Sequence, residues 1–188
     1  MHRLVVGITG ASGAILGIRL LELLRGTEIE THLVLSPAAR ATILQETDRK
    51  ISEVQSLADV HYRHGDIGAA IASGSFVTLG MVIVPCSIKT LSAVANSYAD
   101  DLLSRAADVT LKEGRPLLLV VRETPLHRGH LRLMDLAARS GAVIFPPVPA
   151  FYLHPSSVSE MVDHTVTRIL LRMGIQIDGL EEWTGGGS

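Results

Sequence analysis

The chain has 188 residues, with 17 Lys and Arg against 19 Asp and Glu, and the formal net charge of −2 excludes the basic footprint of a general nucleic-acid binder. Apolar residues make up 47% and charged residues 19%, a balance below the usual ~25% charged that predicts burial of surface against further copies of the chain. A single cysteine, Cys86, excludes an internal disulfide and suits a reducing compartment.

The first apolar run, 4–8, is short, continuous and rich in β-branched residues, as a strand covered on both faces should be. It is followed by Gly7-Ile-Thr-Gly10-Ala11-Ser12-Gly13, which opens an amphipathic helix over 14–25. These glycines suit the approach of a phosphate to a helix N-terminus. A tight turn with Ser12 as an ordinary N-cap explains the same residues. The second strand, 32–35, ends in Ser36-Pro37, an N-cap with proline at the first position of a helix over 37–46. A nicotinamide site wants a carboxylate at that strand end. Serine there disfavours NAD and leaves a mononucleotide such as FMN. Residues 50–80 have weak periodicity, with one further strand predicted within 59–63.

The third run, 81–84, leads into Pro85-Cys86-Ser87-Ile88-Lys89-Thr90, where hydroxyl residues and a lysine start a helix over 90–96. With no histidine beside it in sequence, Cys86 reads as a small buried hydrophobe. On the helix 100–112, Arg105 and Lys112 are seven apart and within about 20° of one face. Asp108, three along from Arg105, offers it an ordinary surface ion pair. The strand 117–121 ends in Arg122-Glu123. The planar fork of Arg122 suits a phosphate and Glu123 suits proton exchange, while a solvated loop pair is the alternative. A helix over 127–140, a strand over 142–145, a proline-rich loop carrying Phe151 and Tyr152, and a helix over 157–173 complete the pattern. Arg168 falls near the edge of that last helix's apolar face, and residues 184–188 read as a disordered tail.

Strand–helix alternation predicts an α/β three-layer sandwich with a mainly parallel sheet, one domain over 1–183, and ligands beyond the carboxyl ends of the strands. No nucleophile elbow and no Walker A lysine pattern occurs. The pairs His61/His64 and His127/His130 lack a third ligand, so no metal site is expected. No apolar run approaches the roughly 18 residues of a membrane span. The start of the chain has no signal-peptide layout. A cytoplasmic homo-oligomer with no membrane partner is expected.

Taken together, Gly10-Ala-Ser-Gly13, Ser36, Glu46-Thr-Asp48, Pro85-Cys-Ser-Ile-Lys-Thr90, Arg105-Ala-Ala-Asp108, Leu111-Lys112-Glu113, Arg122-Glu123 and Phe151-Tyr152 closely resemble the UbiX-type flavin prenyltransferases. The resemblance runs from about Arg3 to Trp183. It implies a flavodoxin-like, Rossmann-like fold and a dodecamer built from trimers, with active sites at subunit interfaces. The implied reaction joins a dimethylallyl group from dimethylallyl monophosphate to N5 and C6 of reduced FMN without a metal ion. The product, prenylated FMN, serves UbiD-type decarboxylases in ubiquinone biosynthesis or phenolic acid decarboxylation. Carried over, Ser12, Ser36, Ser87, Thr90 and Arg122 hold FMN, with Gly10, Ala11, Gly13, Ile88 and Lys89 around it. Lys112, Tyr152 and Arg168 grip the donor's phosphate, Arg105 and Glu46 line the site across the interface, and Glu123 transfers protons. Gly114 departs from the pattern, where a second basic residue is usual.

Two rivals carry weight. An FMN-dependent cysteine decarboxylase of related fold would want an early histidine and a Pro-x-Met-Asn segment; the early helix has no histidine and no Met-Asn pair occurs. A non-catalytic flavin-binding subunit of a decarboxylase would not need Lys112, Arg122, Glu123, Tyr152 and Arg168 together.

Overall fold

Alternate residues of a strand face opposite sides of a sheet, so a strand that is apolar at every position needs a packed layer on each side. That is what the chain builds. In the computed structural model, which describes residues 2–177, the strands are β1 (His2–Ile8), β2 (Ile29–Leu35), β3 (Val60–Tyr62), β4 (Gly80–Cys86), β5 (Leu117–Val121) and β6 (Val143–Ile144). The helices are α1 (Ala14–Leu24), α2 (Pro37–Glu46), α3 (Ile51–Gln55), α4 (Ile88–Ala95), α5 (Leu102–Lys112), α6 (Arg128–Arg139) and α7 (Val158–Arg172). The predicted domain end at 183 and the predicted tail 184–188 lie outside the described residues.

Leu4, Val6, Ile8, Val82, Val84, Leu118 and Val120 face one layer, with Ile18, Leu20, Val166 and Ile169 from α1 and α7. Their neighbours Val5, Met81, Ile83, Leu117 and Leu119 face the other, with Leu91, Leu103 and Ala137 from α4, α5 and α6. α1 lies close on the sheet: a Cβ on Gly17 would stand 2.4 Å from the Val84 carbonyl oxygen.

All pairings are parallel, in the order β3-β2-β1-β4-β5-β6. Without the three-residue β3 this is the flavodoxin order, and β3 on the outer edge turns it into the order of dinucleotide-binding folds. The predicted three-layer α/β sandwich is thus the one observed, and the weak region 50–80 supplies α3 and β3. Several predicted boundaries move by local capping. α4 begins at Ile88 rather than 90 because Ser87 caps it, and α5 begins at Leu102 because the Asp101 carboxylate accepts the Ser104 N–H at 2.8 Å. The strand predicted over 142–145 shrinks to two residues before the proline-rich run that cannot donate to a ladder. Gly114, the departure from the expected basic residue, has φ 66° just past α5, a left-handed position that favours glycine.

Candidate active site

The crossovers from β1 and from β4 leave toward opposite edges of the sheet, so the space above their carboxyl ends is its switch point. A cleft of about 810 Å³ opens there, a size suited to a mononucleotide. Its rim is tied together by the backbone and one hydroxyl. Buried Thr9 Oγ1 donates to the Pro85 carbonyl at 2.8 Å and accepts the Ser87 N–H at 2.8 Å, and the Ser36 N–H donates to the Ile8 carbonyl at 3.0 Å. Three strand ends are thereby held in register.

Each predicted hydroxyl sits at the start of a helix. Ser36 Oγ accepts the Ala39 N–H at 3.1 Å, and Ser87 Oγ accepts the Thr90 N–H at 3.3 Å while donating to Thr90 Oγ1 at 3.2 Å. Gly10, Ser36, Ser87, Lys89 and Thr90 line the cleft. Gly10 is required by space: a Cβ there would stand 2.3 Å from the Ala38 Cβ, closing the turn's approach to α2. Ile88 does not line it; its side chain packs against the core beneath α4.

The turn into α1 differs from the capping reading of its sequence. Its N-cap is Gly13, at φ 98°, and not Ser12. The cap is supplied from α2: Glu46 Oε2 accepts the N–H groups of Gly13 and Ala14 at 2.8 and 3.0 Å. Burial pushes the Glu46 carboxyl up, but hydrogen bonds from Ser12, Gly13 and Ala14 and the charge of Arg122 outweigh it and hold it below the ordinary range. Glu46, expected to reach a site across an interface, is held by its own chain. A protein carboxylate thus takes the first N–H groups of α1, while Ser36 and Ser87 cap α2 and α4 from within the chain at the cleft. Ala11 is buried beneath this turn.

Arg122 and Glu123 follow β5 at the same edge. The Arg122 N–H donates to the Cys86 carbonyl at 3.2 Å, and Glu123 Oε1 accepts the Thr124 N–H at 3.1 Å. Cys86 itself is buried and burial pushes its thiol far up, as a packing residue rather than a nucleophile.

The remaining predicted residues lie apart. α5 starts at the cleft, where Asp101 and Ser104 line it, and runs for 11 residues, about 16 Å, toward the amino edge of the sheet. Arg105, near its start, pairs with Asp108 at 3.0 Å. Lys112, at its end, pairs with Glu113 beside Gly74, close to where Pro116 meets Met81 at the start of β4 and β5. Tyr152 lies in an exposed 3-10 turn, Phe151–Leu153, and Arg168 is exposed on α7. Sequence reasoning missed Thr9, His64, Asn96, Tyr98, Asp100, Asp101 and Ser104 at the cleft or its rim. His64 Nε2 stands 3.3 Å from Asp101 Oδ2. Of these, only the Asp101-x-x-Ser104 cap carried a local signal. Among the described residues no three His, Cys, Asp or Glu side chains gather as metal ligands, and no helix is long and apolar enough to cross a membrane.

An open parallel α/β sheet with a hydroxyl-rimmed cleft at its switch point, and no carboxylate at the end of β2, defines a mononucleotide-binding protein. The family profile described as Flavoprotein matches residues 1–169. The flavin prenyltransferase UbiX of Escherichia coli strain K12 is 61% identical over 98% of this chain and 100% of its own length. The crystal structure of AnUbiX (PadA1) in complex with FMN and dimethylallyl pyrophosphate superposes with a TM-score of 0.96 at 50% identity, covering 99% of each chain. A dodecameric FMN-dependent UbiX-like decarboxylase from Escherichia coli O157:H7 gives 0.94 at 48% identity, covering 97% of this chain and 100% of the other. The chain belongs to the Flavoprotein family and, within it, to the UbiX flavin prenyltransferases. Peptidyl-cysteine decarboxylase EpiD, at 17% identity and a TM-score of 0.62, shares the fold alone.

Proposed function

We propose that the protein joins a dimethylallyl group from dimethylallyl monophosphate to N5 and C6 of reduced FMN, yielding prenylated FMN for UbiD-type decarboxylases. The observation that carries this reading is the hydroxyl-rimmed cleft at the switch point of a fold that matches, at a TM-score of 0.96, a relative crystallised with FMN and dimethylallyl pyrophosphate. The cleft fits FMN: Ser36, Ser87, Thr90 and the backbone around Gly10, Ile88 and Lys89 suit its phosphate and ribityl hydroxyls, with Ala11, Ser12 and Gly13 at the adjoining turn.

Two bonds form. N5 of reduced FMN gives its electron pair to the allylic carbon and loses its proton. C6 then bonds the tertiary carbon of the prenyl group, as the prenyl double bond takes up a proton at its other carbon and C6 loses its own. The bond that breaks is the donor's allylic C–O, and its electrons leave with the phosphate. Lys112, Tyr152 and Arg168 stabilise that developing charge without a metal ion, while Arg122 holds FMN. Arg105 and Glu46 line the site, and Glu123 moves the protons of the ring closure, to the prenyl double bond and from C6. Water exclusion protects the departing dimethylallyl group from hydrolysis. Because Lys112 lies about one helix length from the cleft of its own chain, its partner in this work is the cleft of a neighbouring subunit, in a dodecamer of single-domain protomers in the cytoplasm.

The test is anaerobic incubation of the protein with reduced FMN and either dimethylallyl monophosphate or the diphosphate, with and without chelator, followed by mass spectrometry of the flavin. A flavin heavier by one five-carbon unit, unaffected by chelator, is expected. Unchanged FMN despite binding of both ligands overturns the reading.

A further inference from the structure

α4 separates the flavin cleft from a second concavity of about 450 Å³ on its other side, between α4 and α6. The two share Lys89, Ser92 and Asn96. This groove is also lined by His127, His130 and Arg132, and none of its described lining residues carries a carboxylate. The imidazoles of His127 and His130 lie against each other, with centroids 3.6 Å apart and planes tilted by 33°. Neither is spent on a structural partner through Nε2. His127 Nδ1 accepts the Gly129 N–H at 3.0 Å, which leaves the proton of the neutral ring on Nε2. His130 Nδ1 is enclosed without a partner among the described residues, whereas its Nε2 is not enclosed. Two imidazole donors, a lysine and an arginine face one space with no opposing charge, which is the donor set of an oxyanion site.

We propose that this groove is a second phosphate-binding subsite, distinct from the flavin cleft, that takes the phosphate or diphosphate released by prenyl transfer. Lys89 borders both concavities, so it can accompany the anion from one to the other. The anion's identity as a reaction product rests on the prenyltransferase reading; the site's affinity for an oxyanion does not.

The assembled protein, crystallised free of phosphate and sulfate, is soaked in selenate, and the anomalous signal is mapped. A peak within hydrogen-bond distance of His130 Nε2 and Lys89 is expected, and its absence overturns the subsite. In parallel, calorimetric titration with inorganic phosphate and with diphosphate compares the wild type with His127→Asn/His130→Gln. Asn retains the cap on α6. The variant is expected to lose at least about tenfold in affinity for one of the two anions, and which one it loses names the source. FMN affinity is expected to stay unchanged. Equal anion affinities in wild type and variant overturn the proposal. A shifted affinity in a protein that makes no prenylated flavin leaves the subsite standing and removes only the assigned source.

Discussion

Glu46 and His32 are titratable groups that are both held low, for different reasons: hydrogen bonds favour the charged form of Glu46, and burial disfavours that of His32. Glu46 is exposed yet fully engaged, accepting the Gly13 and Ala14 N–H groups at the start of α1. Its carboxyl is held low, so the stability it contributes is present above its unfolded value near ~4.3 and is lost as pH falls through the lower folded value. Glu46→Gln is expected to lose about 0.5–1 kcal/mol at neutral pH, and its urea midpoint should fall less than the wild type's between pH 6 and 3. Parallel curves for the two proteins count against the capping role. His32 is 2% exposed, with Nδ1 2.9 Å from the Tyr62 hydroxyl, Nε2 3.1 Å from Glu30, and Phe76 and Arg3 close by. Burial pushes its imidazole down against the pull of Glu30. Below the unfolded value near ~6.5 the unfolded chain binds the extra proton, so stability drops as pH falls from there. His32→Leu should flatten the dependence of the urea midpoint between pH 7 and 5, and an unchanged slope would assign the effect elsewhere.

At the scale of elements, the close seat of α1 on the sheet decides where the turn after β1 lies. Gly17 lets the helix approach until a Cβ would meet the Val84 carbonyl at 2.4 Å, with Ile8 atoms at 2.8 and 2.9 Å. Gly17→Ala has helix propensity in its favour by about 1 kcal/mol, but the contact is with rigid backbone. Overpacking of this kind costs about 1–3 kcal/mol, so the variant is expected to melt several degrees lower, as differential scanning calorimetry would show. A higher melting temperature would mean that α1 can lift away freely. The three helix starts at the cleft were legible as Ser36-Pro37, Ser87-x-x-Thr90 and the glycine turn, because N-caps are local chemistry. The cap on α1 was not, since Glu46 is 33 residues away from Gly13 in sequence.

At the scale of the whole molecule, the predicted site residues do not gather at one edge of the sheet. Ser36, Ser87, Thr90, Arg122 and Glu123 stand at or beside the carboxyl edge, and Lys112 stands toward the amino edge. If the proposed inter-subunit site is right, a subunit lacking Lys112 and one lacking Glu123 damage different halves of it. Co-expression of Lys112→Ala with Glu123→Gln is expected to recover up to about a quarter of the wild-type prenyl-FMN yield in mixed oligomers, from sites that receive one intact half from each chain. No recovery above either variant alone would place both residues in one chain's site.

The sequence by itself determined the layers and the chemistry of the rim. Continuous apolar strands demand two covering layers, hydroxyl and proline residues announce helix starts, and the missing acid after β2 points to a mononucleotide. Both kinds of signal act over a few residues, so a single sequence carries them. Tertiary structure decided the rest. It brought Glu46 to α1, tied Thr9 to Ser87, set His64 beside Asp101 at the cleft, laid His127 against His130, and sent Lys112 away from its own cleft. These depend on which strand lies next to which, and adjacency in a parallel sheet is fixed by long-range packing of crossover helices rather than by any local preference.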